Sequence, residues 1–344
     1  MNDTNLHWAD NLRAVATVAV ILLHVSAGPV LTPYGELSAG DWWTGNLIDG
    51  TVRFCVPVFL MLTGALLLTK TYPIGEFLRK RLNRILLPFL FWSLLYIAYD
   101  LWVKWENHEY LDATEISTYT FRQLKTGASS HLWYIYMLIG IYLIFPVIGK
   151  WVTYSSRKEI GYYVIVWLSG ILCGLRWLHE IQTNISLIYF SGFLGYTVLG
   201  YLLATMPPRK DIRLNAGLLF VAGTLITIVG TYIETSSDRV FYGELYGYLS
   251  PNVIMASAGI FLFFRHTSFQ SNRFRQLTTF ISRYSYGIYL SHVVFILLLG
   301  RIGIGWKMMT PAVSIPLTAG LCLFLSLLTT YVLSKIPVLK HVAG

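Results

Sequence analysis

The chain has 344 residues, of which 55% are hydrophobic, 15% aromatic and only 12% charged, with a mean hydropathy of +0.57. A soluble globular chain carries about 25% charged residues, and half that figure leaves too little charge to cover a water-facing surface. Disorder is excluded by the abundance of aromatic and branched apolar residues, and a secreted disulfide scaffold by the odd set of Cys55, Cys173 and Cys322, each inside an apolar run.

The class that remains is all-α, a polytopic membrane protein whose residues 1–344 form one transmembrane domain. A spanning helix needs about 20 mostly apolar residues. Ten such stretches occur in order, at about 12–31, 46–69, 84–103, 131–149, 161–178, 186–205, 212–233, 251–265, 280–299 and 311–334. The first is too long for the apolar region of a signal peptide and lacks a clear small-residue cleavage site, so it reads as an anchor. The longest outer loop, about 104–130, carries Glu106, Glu109, Asp112 and Glu115. No Pro/Gly/Ser-rich linker, low-complexity tract or internal repeat stands out.

The formal charge of +9 would ordinarily suggest nucleic acid. Sorted by loop, with the N-terminus inside, eighteen Lys and Arg fall on the inner side: Arg13, Lys70, Arg79, Lys80, Arg81, Arg84 and twelve more. Seven fall outside, among them Arg176 and Arg239, and Arg53 lies within the second span. The acids run the opposite way. This asymmetry satisfies the positive-inside rule, places both termini in the cytoplasm, and removes the need for a nucleic-acid partner.

Ionisable residues inside a span are costly and are functional candidates by default. Arg13 and His24 lie eleven residues apart in the first stretch, three turns plus about 20°, so they share a face with an axial separation of about 16 Å. Arg13 reads either as a snorkelling topology signal or as an anion ligand, and His24 either as a packing residue or as a reacting imidazole. Arg53 lies roughly 10 Å below the outer face, at a depth like that of His24. With no acid expected deep in a span to pair with it, Arg53 is satisfied by carbonyls near Pro57 or faces a polar cavity beside His24. His131 and His292 can line the same cavity. Arg81 and Arg84 are i, i+3 at the expected N-terminus of the third stretch, where the helix dipole favours anions such as a cytosolic phosphate.

These residues resemble the acyltransferase-3 family of integral membrane acyltransferases. The resemblance rests on Asp10-Asn11-Leu12-Arg13 with Arg13-x10-His24, and on Arg53-x-x-Val56-Pro57-Val58-Phe59-x-x-x-x-Gly64. Arg81-x-x-Arg84 before Pro88, His131-Leu-Trp133-Tyr134 with Tyr142 and Pro146, and Ser282-x-Tyr284-Ser285-x-Gly287-Ile288-Tyr289-Leu290-x-His292 extend it along nearly the whole chain. The second-span pattern is similar to the subgroup that O-acetylates surface polysaccharides, of the enterobacterial common antigen type. Thr63-Gly64-Ala65 departs from the family's usual Ser-Gly-Phe or Ser-Gly-Tyr, and no fused SGNH-hydrolase domain is expected.

The resemblance implies transfer of an acyl group, usually acetyl, from acyl-CoA in the cytoplasm to a hydroxyl of a carbohydrate, in the inner membrane and among its lipids. No bound cofactor or metal is implied; acetyl-CoA enters as donor substrate. Arg13, Arg81 and Arg84 form a landing site for its phosphates, His24 acts as base or acyl carrier, and Arg53 stabilises the oxyanion. His131, Tyr134 and His292 line the acceptor side. Two rival readings stand beside this one: a transporter or flippase for the polysaccharide or its lipid-linked unit, and a haem or metal protein using the three histidines.

Overall fold

A computed structural model describes residues 7–173, 192–238, 240–269 and 271–344. Among them the chain is helical, and no strand occurs. The helices are α1 His7–Leu31, α2 Ala39–Val52, α3 Cys55–Leu67, α4 Ile74–Glu106, α5 Ala113–Thr126, α6 Trp133–Tyr154, α7 Arg157–Cys173, α8 Leu194–Ala204, α9 Ile212–Asp238, α10 Pro251–His266, α11 Asn272–Arg301 and α12 Pro311–Lys335. Among the described residues eight segments are long and apolar enough to cross a membrane: α1, α2 with α3, α4, α6, α9, α10 with the turn before it, α11 and α12. The other two of the ten expected stretches run into 174–191, as does Arg176, and Arg239 likewise lies outside the described residues.

Local chemistry sets the ends of these helices. The Ser38 hydroxyl accepts from the Asp41 N–H at 3.1 Å and starts α2. Asp112 and Glu115 form a reciprocal capping box at 2.8 and 2.9 Å that starts α5. Pro251 and Pro311 occupy first-turn positions, where a missing N–H costs nothing. Between α2 and α3 the span breaks at Arg53–Phe54, because Pro57 has no N–H to give the Arg53 carbonyl; Val58 N–H resumes the ladder to Phe54 at 3.0 Å.

α1 is the hub, packing against α2, α3, α10, α11 and α12. It runs parallel to α11: Thr278 donates to Asn11 Oδ1 at 2.5 Å, Arg13 donates to Ser282 Oγ at 3.1 Å, and the His24 ring meets that of His292. α3 lies so close to α8 that a Cβ on Gly64 would overlap the Thr197 carbonyl, and one on Gly200 would overlap the Met61 backbone. Small residues give such backbone contact in membrane bundles, where apolar side chains gain nothing by leaving lipid. Leu86, Leu87, Leu90 and Leu94 of α4 are exposed, as expected of a lipid-facing stripe.

Candidate active site

Arg13, Arg81 and Arg84 line one cavity of about 250 Å³, together with Thr63, Tyr134, Tyr142, Ser282, Tyr286 and Tyr289. The Arg13 guanidinium is held in place: it contacts the Asp10 carboxylate at 3.3 Å and donates to Ser282, whose hydroxyl donates to Asp10 at 2.7 Å. Arg81 packs near the Phe77 ring, 5.8 Å from its centroid. The sequence expectation that Arg81 and Arg84 stand at a helix N-terminus is corrected. α4 starts at Ile74, after Pro73, so both lie beyond the first turn and the free N–H groups of that turn are not beside them. Any anion held there is held by the guanidinium groups.

The cavity wall ends at Tyr134 and Tyr289, whose rings lie 5.5 Å apart. The next layer is a trio of histidines. His24 of α1 is 5.1 Å from His292 of α11 and 6.1 Å from His131, which precedes α6; His131 and His292 are 5.0 Å apart, all between ring centroids. Tyr289 bridges the two layers, with its ring 5.4 Å from His131 and its hydroxyl donating to the His131 carbonyl. Tyr96 of α4 closes the far side, donating to the Leu290 carbonyl at 2.9 Å. The structure thus brings the three expected histidines together, and it leaves His24 outside the arginine-lined cavity, one side-chain layer beyond it. Among the described residues no group of three His, Cys, Asp or Glu is arranged to hold a metal ion.

Arg53 is where the sequence reading fails most clearly. An acid does stand deep in the span: Asp49, one turn earlier in α2, has no exposed surface and forms an ion pair with Arg53. The guanidinium also sits 4.1 Å over the Tyr246 ring. Tyr246 in turn donates to Asn46 Oδ1 at 2.6 Å, and Asn46 donates to the Ile228 carbonyl at 3.0 Å. Arg53 therefore belongs to a compensated polar cluster of α2 and its neighbours. The carboxylate lies against Ser26, two residues from His24, which keeps this cluster beside the histidines.

Sequence reasoning missed five further contributors. Asp49 carried a usable signal, its i, i−4 spacing from Arg53, once the Ser38 cap had moved the helix start outward. Asp10 and Ser282 were part of the quoted motifs without a role; their joint hold on Arg13 spans two distant helices. Tyr289 likewise stood in a quoted motif without a role, and Tyr96 had no signal beyond being a tyrosine in an apolar run.

No solved structure matches this chain. YfiQ of Bacillus subtilis (strain 168), whose name describes it as a candidate membrane-bound acyltransferase, is 24% identical over 305 residues, which cover 83% of this chain and 80% of YfiQ. Residues 6–335 match the acyltransferase domain of the acyltransferase-3 family. With that match running over residues 6–335, and with eight segments among the described residues able to cross a membrane, the chain belongs to the acyltransferase-3 family and is a membrane acyltransferase.

Proposed function

We propose that the protein moves an acyl group, acetyl foremost, from cytoplasmic acyl-CoA to a hydroxyl of a surface carbohydrate or its lipid-linked precursor. The observation that carries the reading is the tethered Arg13 facing a cavity it shares with Arg81 and Arg84, with His24 three turns further along the same helix. Coenzyme A brings phosphate charges that suit guanidinium forks, and its pantetheine arm is comparable in length to the roughly 16 Å between Arg13 and His24. His24 then accepts the proton of the acceptor hydroxyl or carries the acyl group itself. Arg53, held by Asp49 beside this site, supplies positive field for a developing oxyanion rather than a free cation. His131 and His292 stand on the acceptor side, and Tyr134 stands between them and the arginine cavity whose wall it forms. The surplus of Lys and Arg at the end bearing Arg13 supports an inner-membrane protein with cytoplasmic termini.

The residues around Arg53 and Pro57 resemble those of O-acetyltransferases of the enterobacterial common antigen type, which favours a polysaccharide acceptor. Labelled acetyl-CoA fed to inside-out vesicles tests it, with label followed into extractable glycans. Wild-type protein transfers label and His24→Ala, while still inserted, does not. Wild-type transfer by His24→Ala refutes the assignment. The break in the second span at Arg53–Phe54 is the one observation that favours a flippase; movement of lipid-linked sugar without transfer of label would establish that alternative.

A further inference from the structure

Beside His24, two ring nitrogens have no hydrogen-bonding role so far. His292 has no exposed surface and His131 only 3%, and the Nε2 atom of each is buried without a hydrogen-bond partner. An unpartnered buried polar atom is costly, so each asks for a reason. For His292 the tautomer follows from its other nitrogen. Nδ1 lies 2.6 Å from the Tyr289 carbonyl oxygen, which can only accept, so Nδ1 carries the proton and Nε2 presents a lone pair. That ring meets His24 with 46° between planes. His24 keeps accessible surface, while Leu23 and Val25 on either side of it are buried. His131 is engaged differently: its Nδ1 is 3.0 Å from Ser129 Oγ, the Leu290 carbonyl faces its ring, and it stands edge-on to His292 at 74°.

We propose that His292 is a positioning residue for His24. The two rings lie 5.1 Å apart between centroids, and a turn of the His24 ring lets one of its N–H groups meet the otherwise unpartnered His292 Nε2 lone pair, leaving the other His24 nitrogen's lone pair for the reacting group. This rests on the acyltransferase reading of His24. The series Tyr289 carbonyl, His292, His24 follows the logic of a base oriented by a third group, with a backbone carbonyl and an imidazole in place of a carboxylate. In direct transfer, the acceptor O–H breaks to the free His24 nitrogen as the oxygen bonds to the acyl carbon. The C–S bond then breaks with its electron pair on sulfur, and the proton passes from His24 to that thiolate. His292 exchanges no net proton; its lone pair stabilises the transient imidazolium of His24.

Diethyl pyrocarbonate reacts with the same imidazole lone pair and needs no substrate. Its rate of carbethoxylation at His24, read by peptide mass spectrometry on the full chain in detergent, therefore reports positioning apart from turnover. His292→Leu removes the lone pair, whereas His292→Gln returns an acceptor oxygen and keeps an N–H for the Tyr289 carbonyl. Loss of that hydrogen bond slows His24 modification about tenfold in His292→Leu, and His292→Gln recovers to within about threefold of wild type. With acetyl-CoA, kcat follows the same order and KM for the donor stays unchanged. Equal His24 rates in wild type and His292→Leu overturn the proposal, as does equal loss in the Leu and Gln variants. If His292→Leu fails to fold, His292→Met takes its place, being adaptable in packing. Absence of acetyl transfer by the wild type overturns the acyltransferase reading and leaves the positioning of His24 to be decided by carbethoxylation alone.

Discussion

Replacing Asp49 by Asn keeps the shape of the side chain and removes the charge that holds Arg53. The Asp49 side chain is fully buried and that of Arg53 is 16% exposed. Breaking a buried pair from one side costs about 3–5 kcal/mol, because the other charge stays behind without compensation. The residual access of Arg53 and its contact with the Tyr246 ring place Asp49→Asn at the lower end, about 3 kcal/mol. Arg53→Met strands the carboxylate instead and costs about the same. In the double variant neither charge is left, so the loss is about 1–2 kcal/mol, far from the sum of about 6. Cys55 and Cys322 are completely buried. In a Cys173→Ser background, a thiol-reactive fluorophore therefore reports thermal unfolding in detergent. At about 2 °C per kcal/mol for a chain this long, each single variant drops Tm by about 6 °C and the double by about 3 °C. A double variant that falls by the sum of the singles would refute the coupling and return Arg53 to the status of an unpaired cation.

Ser282→Ala removes one of the two groups that hold Arg13; water replaces part of it, since the Arg13 side chain is 28% exposed. A net loss of about 1 kcal/mol raises KM for acetyl-CoA about fivefold with kcat unchanged, and a KM equal to wild type would take Ser282 out of donor binding. Arg81→Ala combined with Arg84→Ala acts on the same constant, raising donor KM more than tenfold if each contributes about 1 kcal/mol or more; steady-state kinetics in vesicles checks both. Gly64→Leu drives a side chain into the Thr197 backbone. It should destabilise the α3–α8 contact by about 3 kcal/mol or more, read as a lowered Tm, and an unchanged Tm would mean that the two helices separate freely.

The apolar stretches were legible because lipid contact demands about 20 apolar residues per crossing, and eight of them coincide with spanning helices. Their ends were not. Hydropathy stops at the first charges, while the helices run on: α2 starts at Ala39 rather than near 46, and α4 at Ile74 rather than near 84. Asp49 falls at the outer end of the expected second stretch for this reason, although it lies ten residues into α2, about 15 Å from its start. The same error put Arg81 and Arg84 at a helix N-terminus. The face shared by Arg13 and His24 follows from periodicity alone and needs no boundary. The convergence of His131 and His292 on His24 depends on which helices neighbour α1, and apolar surfaces facing lipid and facing protein look alike in sequence.

The register of α11 explains why the arginines and the histidines form two layers instead of one cavity. Ser282, Ser285, Tyr286 and Tyr289 all line the arginine cavity, and their spacing of three, four and seven is a single helical stripe. His292 is three residues past Tyr289 and meets His24, while α1 keeps Arg13 and His24 on one face. A straight stripe on α1 therefore meets a stripe on α11 that ends in a tyrosine. Tyr289 is held there twice, by its hydroxyl on the His131 carbonyl and by its ring against Tyr134. On the proposed reading, a thioester that lands at Arg13, Arg81 and Arg84 must pass these two rings to reach His24. The width of the acyl group is then selected at Tyr134 and Tyr289, whereas the arginines select only the charge of the carrier.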